Sequence, residues 1–136
     1  MSKIENYLFF DGNCAEAMRF YESALGGKLN VMQAKDSPDQ SHVPPGGGEL
    51  VLHARLDANG AVLMASDWMD TSPYPGKNGF AVTLAVPTLE EAKSLFEKLS
   101  AGGKVTFPLG KTFYSEGFAM FADKFGVPWM VITESK

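Results

Sequence analysis

The chain of 136 residues contains one cysteine and two histidines. Cys14 has no partner for an internal disulfide, which fits a reducing compartment, and a cysteine-built zinc centre is excluded. No apolar run approaches the roughly 18 residues of a membrane helix, and the opening Met1-Ser2-Lys3-Ile4 carries no apolar signal segment. A soluble, cytoplasmic protein without a membrane partner is therefore expected. Basic residues are in deficit: 12 Lys and Arg against 16 Asp and Glu give a net charge of −4. That is the wrong sign for a nucleic-acid groove. What is plentiful is apolar: 45% of the chain, including ten Phe and seven Met. This excludes disorder for most of the sequence and allows one well-filled domain with an adaptable interior or pocket.

One sequence pattern is written twice. NCAEAMRFYE at 13–22, followed by Leu25-Gly26-Gly27-Lys28, returns as TLEEAKSLFE at 88–97, followed by Leu99 and Gly102-Gly103-Lys104. The offset is 75 for the helix starts (13 to 88) and 76 for the Gly-Gly-Lys triplets (26 to 102). Each copy follows an apolar run, YLFF at 7–10 and FAVTLAV at 80–86. A period this long in a chain this short is not a solenoid. It marks a duplicated half-domain, and paired halves commonly hold a ligand cleft.

Residues 3–10 read as a strand and Asp11-Gly12 as a turn. Asn13 with Glu16 forms an Asn variant of the capping box and opens a helix over 13–25. Its apolar face is Ala17, Phe20, Tyr21 and Ala24, and Gly26-Gly27 ends it with a left-handed cap. Lys28–Gln33 is a second strand. Lys35–Glu49, with Pro38 and Pro44-Pro45-Gly46-Gly47-Gly48, is an irregular surface loop, either a tolerated insertion or a flap over a pocket. Leu50–Leu56 and Ala61–Ser66 flank the Asn59-Gly60 turn and form a hairpin. Residues 68–78 link a first module, 1–67, to a second, 79–136. In the second, Gly79–Val86 is a strand and Thr88 with Glu91 caps a helix over 88–101, whose face is Leu89, Ala92, Leu95, Phe96 and Leu99. Lys104–Phe107, Lys111–Ser115, Gly117–Asp123 and Val127–Thr133 supply the remaining strands. The order β-α-β-β-β occurs twice, an α+β fold with helices on one face of antiparallel-rich sheet.

Several runs carry a family resemblance: YLFFDGNC at 7–14 leading into Phe20-Tyr21, HARL at 53–56, LMASD at 63–67, TFY at 112–114 and DKFGVPWMV at 123–131. They span nearly the whole chain. The sequence resembles the PhnB-like branch of the vicinal oxygen chelate superfamily, which includes glyoxalase I, bleomycin-resistance proteins and extradiol dioxygenases. The resemblance implies tandem βαβββ modules forming a half-open barrel with a metal in its mouth. Carried over, the ligand positions fall on Asn6 in the first strand, Ala81 in its counterpart, Met130 in the last strand, and Leu63 or Met64 in the hairpin. The His, Gln and Glu of the relatives are thus replaced, and zinc, nickel, manganese or iron would lack ligands at these places. No metal or other cofactor is expected.

With Asn6 inward, strand alternation places Leu8 and Phe10 beside it and turns Tyr7 and Phe9 toward the helix. Ala81, Thr83 and Ala85 line the second strand of the pair, and Met130 is joined by Pro128 and Ile132. The wall is mostly apolar with a few polar points, as small-molecule pockets are. His53 is the candidate acid or base, or else an ordinary hairpin histidine paired with Asp67 or Arg55. Arg55 suits a ligand carboxylate or phosphate. Asp67 suits a turn or cap, Thr112 and Tyr114 offer hydroxyls, and Trp68 and Tyr74 are placed to cover the mouth. Cys14 sits at a helix start, where a thiolate is favoured, with no histidine beside it. His42 belongs to the irregular loop. Gly-x-Gly after a strand, which a nucleotide-type cofactor loop needs, is missing, so a methyltransferase reading has no support. The expectation is a metal-independent protein binding a small, partly apolar molecule, as a homodimer. The alternative is a lyase- or isomerase-type enzyme using His53, with a non-standard metal site.

Overall fold

A computed structural model describes residues 2–41 and 43–134. His42 lies outside the described residues. The chain divides into two compact units, Met1–Gly76 and Lys77–Lys136. The first comprises β1 (Asn6–Phe10), α1 (Cys14–Leu25), β2 (Lys28–Gln33), β3 (Val51–Ala58) and β4 (Ala61–Asp67). The second comprises β5 (Val82–Val86), α2 (Leu89–Ser100), β6 (Lys104–Thr112), β7 (Ser115–Ala122) and β8 (Pro128–Thr133). The sheets are ordered β1-β4-β3-β2 and β5-β8-β7-β6. In each, the first strand runs parallel to the last and the others pair antiparallel. Each unit is therefore a βαβββ module with one helix on one face of a four-stranded sheet. The segment read as 104–107 and the first two residues of that read as 111–115 are joined in one nine-residue strand, β6, whose pairing with β7 slips at three places; Phe113 and Tyr114 are a turn and Ser115 opens β7.

Both cores lie between helix and sheet. In the first unit Cys14, Ala17, Met18, Tyr21 and Ala24 of α1 pack on Leu8, Phe10, Ala54, Leu56, Leu63 and Ala65. The buried stripe therefore includes Cys14 and Met18, whereas Phe20 is half-buried at its margin. In the second unit Ala92 and Leu99 of α2 meet Val82, Val86, Ala119, Trp129 and Val131. The side chain of Phe96 contributes an edge contact to Phe121, 5.6 Å between ring centroids.

The helix starts differ. Thr88 caps α2 as its box predicts, its hydroxyl accepting from the Glu91 amide at 3.2 Å. Asn13 makes no side-chain cap bond. Its place is taken by Asp67, whose Oδ1 accepts from the Cys14 amide at 2.9 Å while Oδ2 accepts from Val51 at 2.8 Å. A carboxylate at a helix N-terminus is favoured by the dipole as well as the hydrogen bond. One buried side chain thereby ties α1, β3 and β4 together.

The repeated Gly-Gly also has a steric cause. A Cβ on Gly27 would overlap the carbonyl oxygen of Asp57, and one on Gly103 would overlap that of Ala122. The chain leaving each helix passes too close to its sheet for any side chain. The run from Asp123 to Trp129 is a structural device too. Asp123 accepts from the amides of Phe125 (2.8 Å) and Val127 (3.1 Å) and from the indole nitrogen of Trp129 (2.8 Å).

Among the described residues of the 35–49 loop the regular structure is a single 3-10 turn, Ala34–Asp36. The loop's ends are held together by Ala34 donating to Leu50, Lys35 donating to Gly48, and a 3.0 Å ion pair between Lys35 and Glu49.

Candidate functional site

Burial reverses the faces read for β1. Leu8 (3% exposed) and Phe10 (0%) lie under α1, where Phe10 meets Tyr21 at 6.5 Å, so neither lines a pocket on the opposite face. Tyr7 and Phe9 are 39% and 43% exposed on the face away from the helix. Asn6, which shares the Leu8 side by alternation, is exposed at the strand's start. The cause is one residue. Two residues, Asp11 and Gly12, separate Phe10 from the helix cap, whereas Pro87 alone separates Val86 from Thr88. Measuring both strands back from the cap by the same distance therefore turns β1 over. Aligned by strand end, Tyr7 corresponds to Thr83, and the ladders agree: Tyr7 pairs with Met64 as Thr83 pairs with Met130.

The open face of the first sheet carries a row of rings. His53 stacks on Tyr7 at 5.7 Å, Tyr7 meets Phe9 at 5.1 Å, Phe9 meets Trp68 edge-on at 5.5 Å, and Trp68 meets Tyr74 at 6.2 Å. These separations are those at which aromatic pairs attract, each contributing about 0.5–1.5 kcal/mol beyond burial. Both ends of the row are fixed by hydrogen bonds. The Tyr7 hydroxyl lies 3.1 Å from Nδ1 of His53. At the other end the Tyr74 hydroxyl donates to the Phe9 carbonyl at 2.7 Å, and the Trp68 indole donates to Ser72 at 2.9 Å.

Charge collects beside the row. Arg55, which alternates with His53 on β3, donates through Nε and Nη2 to the two oxygens of Asp57 at 2.9 and 3.3 Å. Its Nη1 is 3.8 Å from Glu5 and 3.8 Å from the Met64 sulfur. The hydrogen bond to Asp57 and that carboxylate's charge hold the guanidinium above its ordinary value, and Arg55 holds the Asp57 carboxyl below its own. The fork that suited a ligand anion is thus occupied within the protein, and the charge of Lys3 also lowers the Asp57 carboxyl.

The remaining predicted residues are dispersed. Asp67 is 3% exposed and spends both oxygens on backbone amides, so it is no partner for His53. Cys14 is fully buried. In the second unit Thr83 is exposed, and Ala81 and Met130 are half-buried on the face away from α2. Thr112 reaches Ser115 at 3.5 Å, and Tyr114 packs edge-on against Phe118 at 6.0 Å. Sequence reasoning missed Tyr7 and Phe9 as open-face residues. The signal that finds them is the extra residue between β1 and α1.

The side chains do not fit the metal of the relatives. Such ions need several imidazole or carboxylate ligands together. The donors on the first sheet's open face are His53, already beside Tyr7, and two carboxylates held at Arg55. Among the described residues no three His, Cys, Asp or Glu side chains gather as a metal site.

Comparison with known proteins agrees with this architecture. The family model of the glyoxalase/bleomycin resistance protein/dioxygenase superfamily matches residues 3–131. The chain is 34% identical over 134 residues to protein YjdN of Escherichia coli (strain K12), spanning 92% of this chain and 90% of that one. It is similar to the crystal structure of protein PA1353 from Pseudomonas aeruginosa, with a TM-score of 0.91, 42% identity and all of both chains covered. A Bacillus cereus PhnB protein, described as a putative 3-demethylubiquinone-9 3-methyltransferase, aligns with a TM-score of 0.74 at 26% identity over 97% of this chain and 99% of its own. The chain belongs to the glyoxalase/bleomycin resistance protein/dioxygenase superfamily.

Proposed function

We propose that the protein is a metal-independent binder of a small, planar, partly apolar cation, of the drug-sequestering kind for which bleomycin-resistance relatives are named. The observation that carries this reading is the row of exposed His53, Tyr7 and Phe9 with half-buried Trp68 and Tyr74 at its end. A flat ligand stacks on such rings, and a positive one gains further from their faces. The whole chain carries a net charge of −4, which favours a cation over an anion. The protein is proposed to be cytoplasmic, as its single cysteine suits, and to act as a homodimer. A thermal-shift screen with planar cationic antibiotics and with 2-oxo aldehydes tests this. Saturable stabilisation by the cations supports it, and stabilisation by the aldehydes alone contradicts it.

The Tyr7–His53 hydrogen bond favours a second reading, a lyase- or isomerase-type enzyme with His53 as acid or base. Turnover of a 2-oxo aldehyde that is lost in His53→Ala while binding persists would establish it. This chain has no Gly-x-Gly loop between a strand and a helix, so a methyltransferase reading gains no support from it.

A further inference from the structure

The second unit carries a projecting ring and an unfilled groove within a few residues of each other. The turn between β6 and β7 is Phe113-Tyr114. Tyr114 is held against Phe118, but Phe113 is 99% exposed, and its one ring contact among the described residues is Tyr114 at 5.0 Å. A phenyl ring left in water contributes no burial to its own fold.

Beside the interrupted part of β6, a groove enclosing about 480 Å³ opens between β6 and α2. Its apolar walls are Leu89 and Phe96 from the helix and Pro108 and Leu109 from the strand. Nearby Gly117 keeps it open, because a Cβ there would come within 2.7 Å of the Leu89 side chain. Leu89 lies on the predicted core stripe of α2 and is nevertheless 47% exposed. Lys93, Lys111, Glu97 and Glu116 complete the lining. None of these four side chains is engaged in an ion pair or hydrogen bond among the described residues.

We propose that this patch is where a second copy of the chain docks, the Phe113 ring of each copy entering the Leu89–Phe96–Leu109 groove of the other. The inference rests on the homodimer reading above and names its surface. Lys111 and Glu116 line both this groove and the neighbouring hollow that Phe113 lines, so ring and groove adjoin. A two-fold rotation about that patch makes both insertions at once, as an isologous interface requires. The rim supports a copy of the same chain over a charged ligand. Its two lysines and two glutamates balance, so each sign finds its opposite across a two-fold axis, whereas a net-charged ligand meets as much repulsion as attraction. An aromatic anchor in an apolar pocket with a polar rim is also where binding energy concentrates at interfaces.

Light scattering on the full chain at micromolar concentration tests this, with far-UV circular dichroism to confirm folding. Wild type should show twice the mass of one chain. Phe113→Ser, a change on a solvated turn, should raise the dissociation constant at least tenfold, and Leu89→Asp should do the same. Lys93→Glu combined with Lys111→Glu makes the rim wholly acidic and should give a monomer at low salt that re-associates at high salt. A wild-type dimer that persists unchanged in Phe113→Ser overturns this surface and leaves the homodimer reading standing. A wild-type monomer overturns both.

Discussion

The Tyr7 hydroxyl and Nδ1 of His53 lie 3.1 Å apart, and the two rings stack at 5.7 Å. They belong to β1 and β3, with β4 between them in the sheet. When the phenol donates to Nδ1, the imidazole proton sits on Nε2, so Tyr7 fixes both tautomer and ring plane. Tyr7→Phe keeps the stack and removes that restraint. A single hydrogen bond contributes on the order of 1 kcal/mol. The affinity for a stacking cation should fall about 3- to 10-fold with little change in stability. Trp68 fluorescence measures it, since the other tryptophan, Trp129, is 1% exposed. Unchanged affinity would count against the pair as part of the site.

The two helix starts make a controlled comparison. Thr88→Ala removes a cap bond and should cost about 0.5–2 kcal/mol, while Asn13→Ala should cost under about 0.5 kcal/mol, because its side chain caps nothing. Asp67→Ala strands two buried amides and should cost about 2–4 kcal/mol. Urea denaturation ranks the three, and an Asn13 effect equal to that of Thr88 would contradict the assignment of the cap to Asp67.

Gly27→Ala and Gly103→Ala each force a methyl group into a strand carbonyl. Both should destabilise by more than about 1 kcal/mol, the range of backbone and overpacking lesions. Gly46→Ala meets no neighbouring atom, although its φ of 75° carries conformational strain, and should be milder than either. Thermal melting of the three variants checks the order.

The order of elements was legible because its signals are local: the Thr88–Glu91 capping box, the Asn59-Gly60 turn, and helical periodicity ending at Gly-Gly. The faces taken for β5 and β8 from the places of Ala81 and Met130 agree with burial, since Val82, Val86, Trp129 and Val131 are the buried residues. NYLFF in β1 does not alternate. Its face had to be carried over from the second copy, and the extra residue before Asn13 inverted it. Asp67 as the cap of α1 was hidden for a different reason: the contact spans 53 positions, and nothing near Asn13 signals that its own side chain is idle. The Arg55–Asp57 fork was an i, i+2 pair on one strand face, open to inspection but read only for a ligand.

That fork has a pH signature. Arg55 holds the Asp57 carboxyl below its ordinary value. The pair's contribution is therefore complete above the unfolded carboxyl's pKa, about 3.9, and is lost as the pH falls through the lower folded value. The stability difference between wild type and Asp57→Asn should be constant above about pH 5 and shrink below about pH 4. Both groups are exposed, so the difference is small at every pH. A difference that grows on acidification would contradict the pairing.

The central claim is that the ring row on the first sheet binds a planar cation with no metal. It is tested by titrating ethidium into chelator-treated, metal-analysed protein while following Trp68 fluorescence. The account predicts saturable one-site quenching in the metal-free protein, unaltered when zinc, nickel or manganese is restored and lost in a Tyr7→Ala, Phe9→Ala double variant that keeps its fold. Quenching that appears only after metal is restored, or that survives loss of both rings, would contradict it.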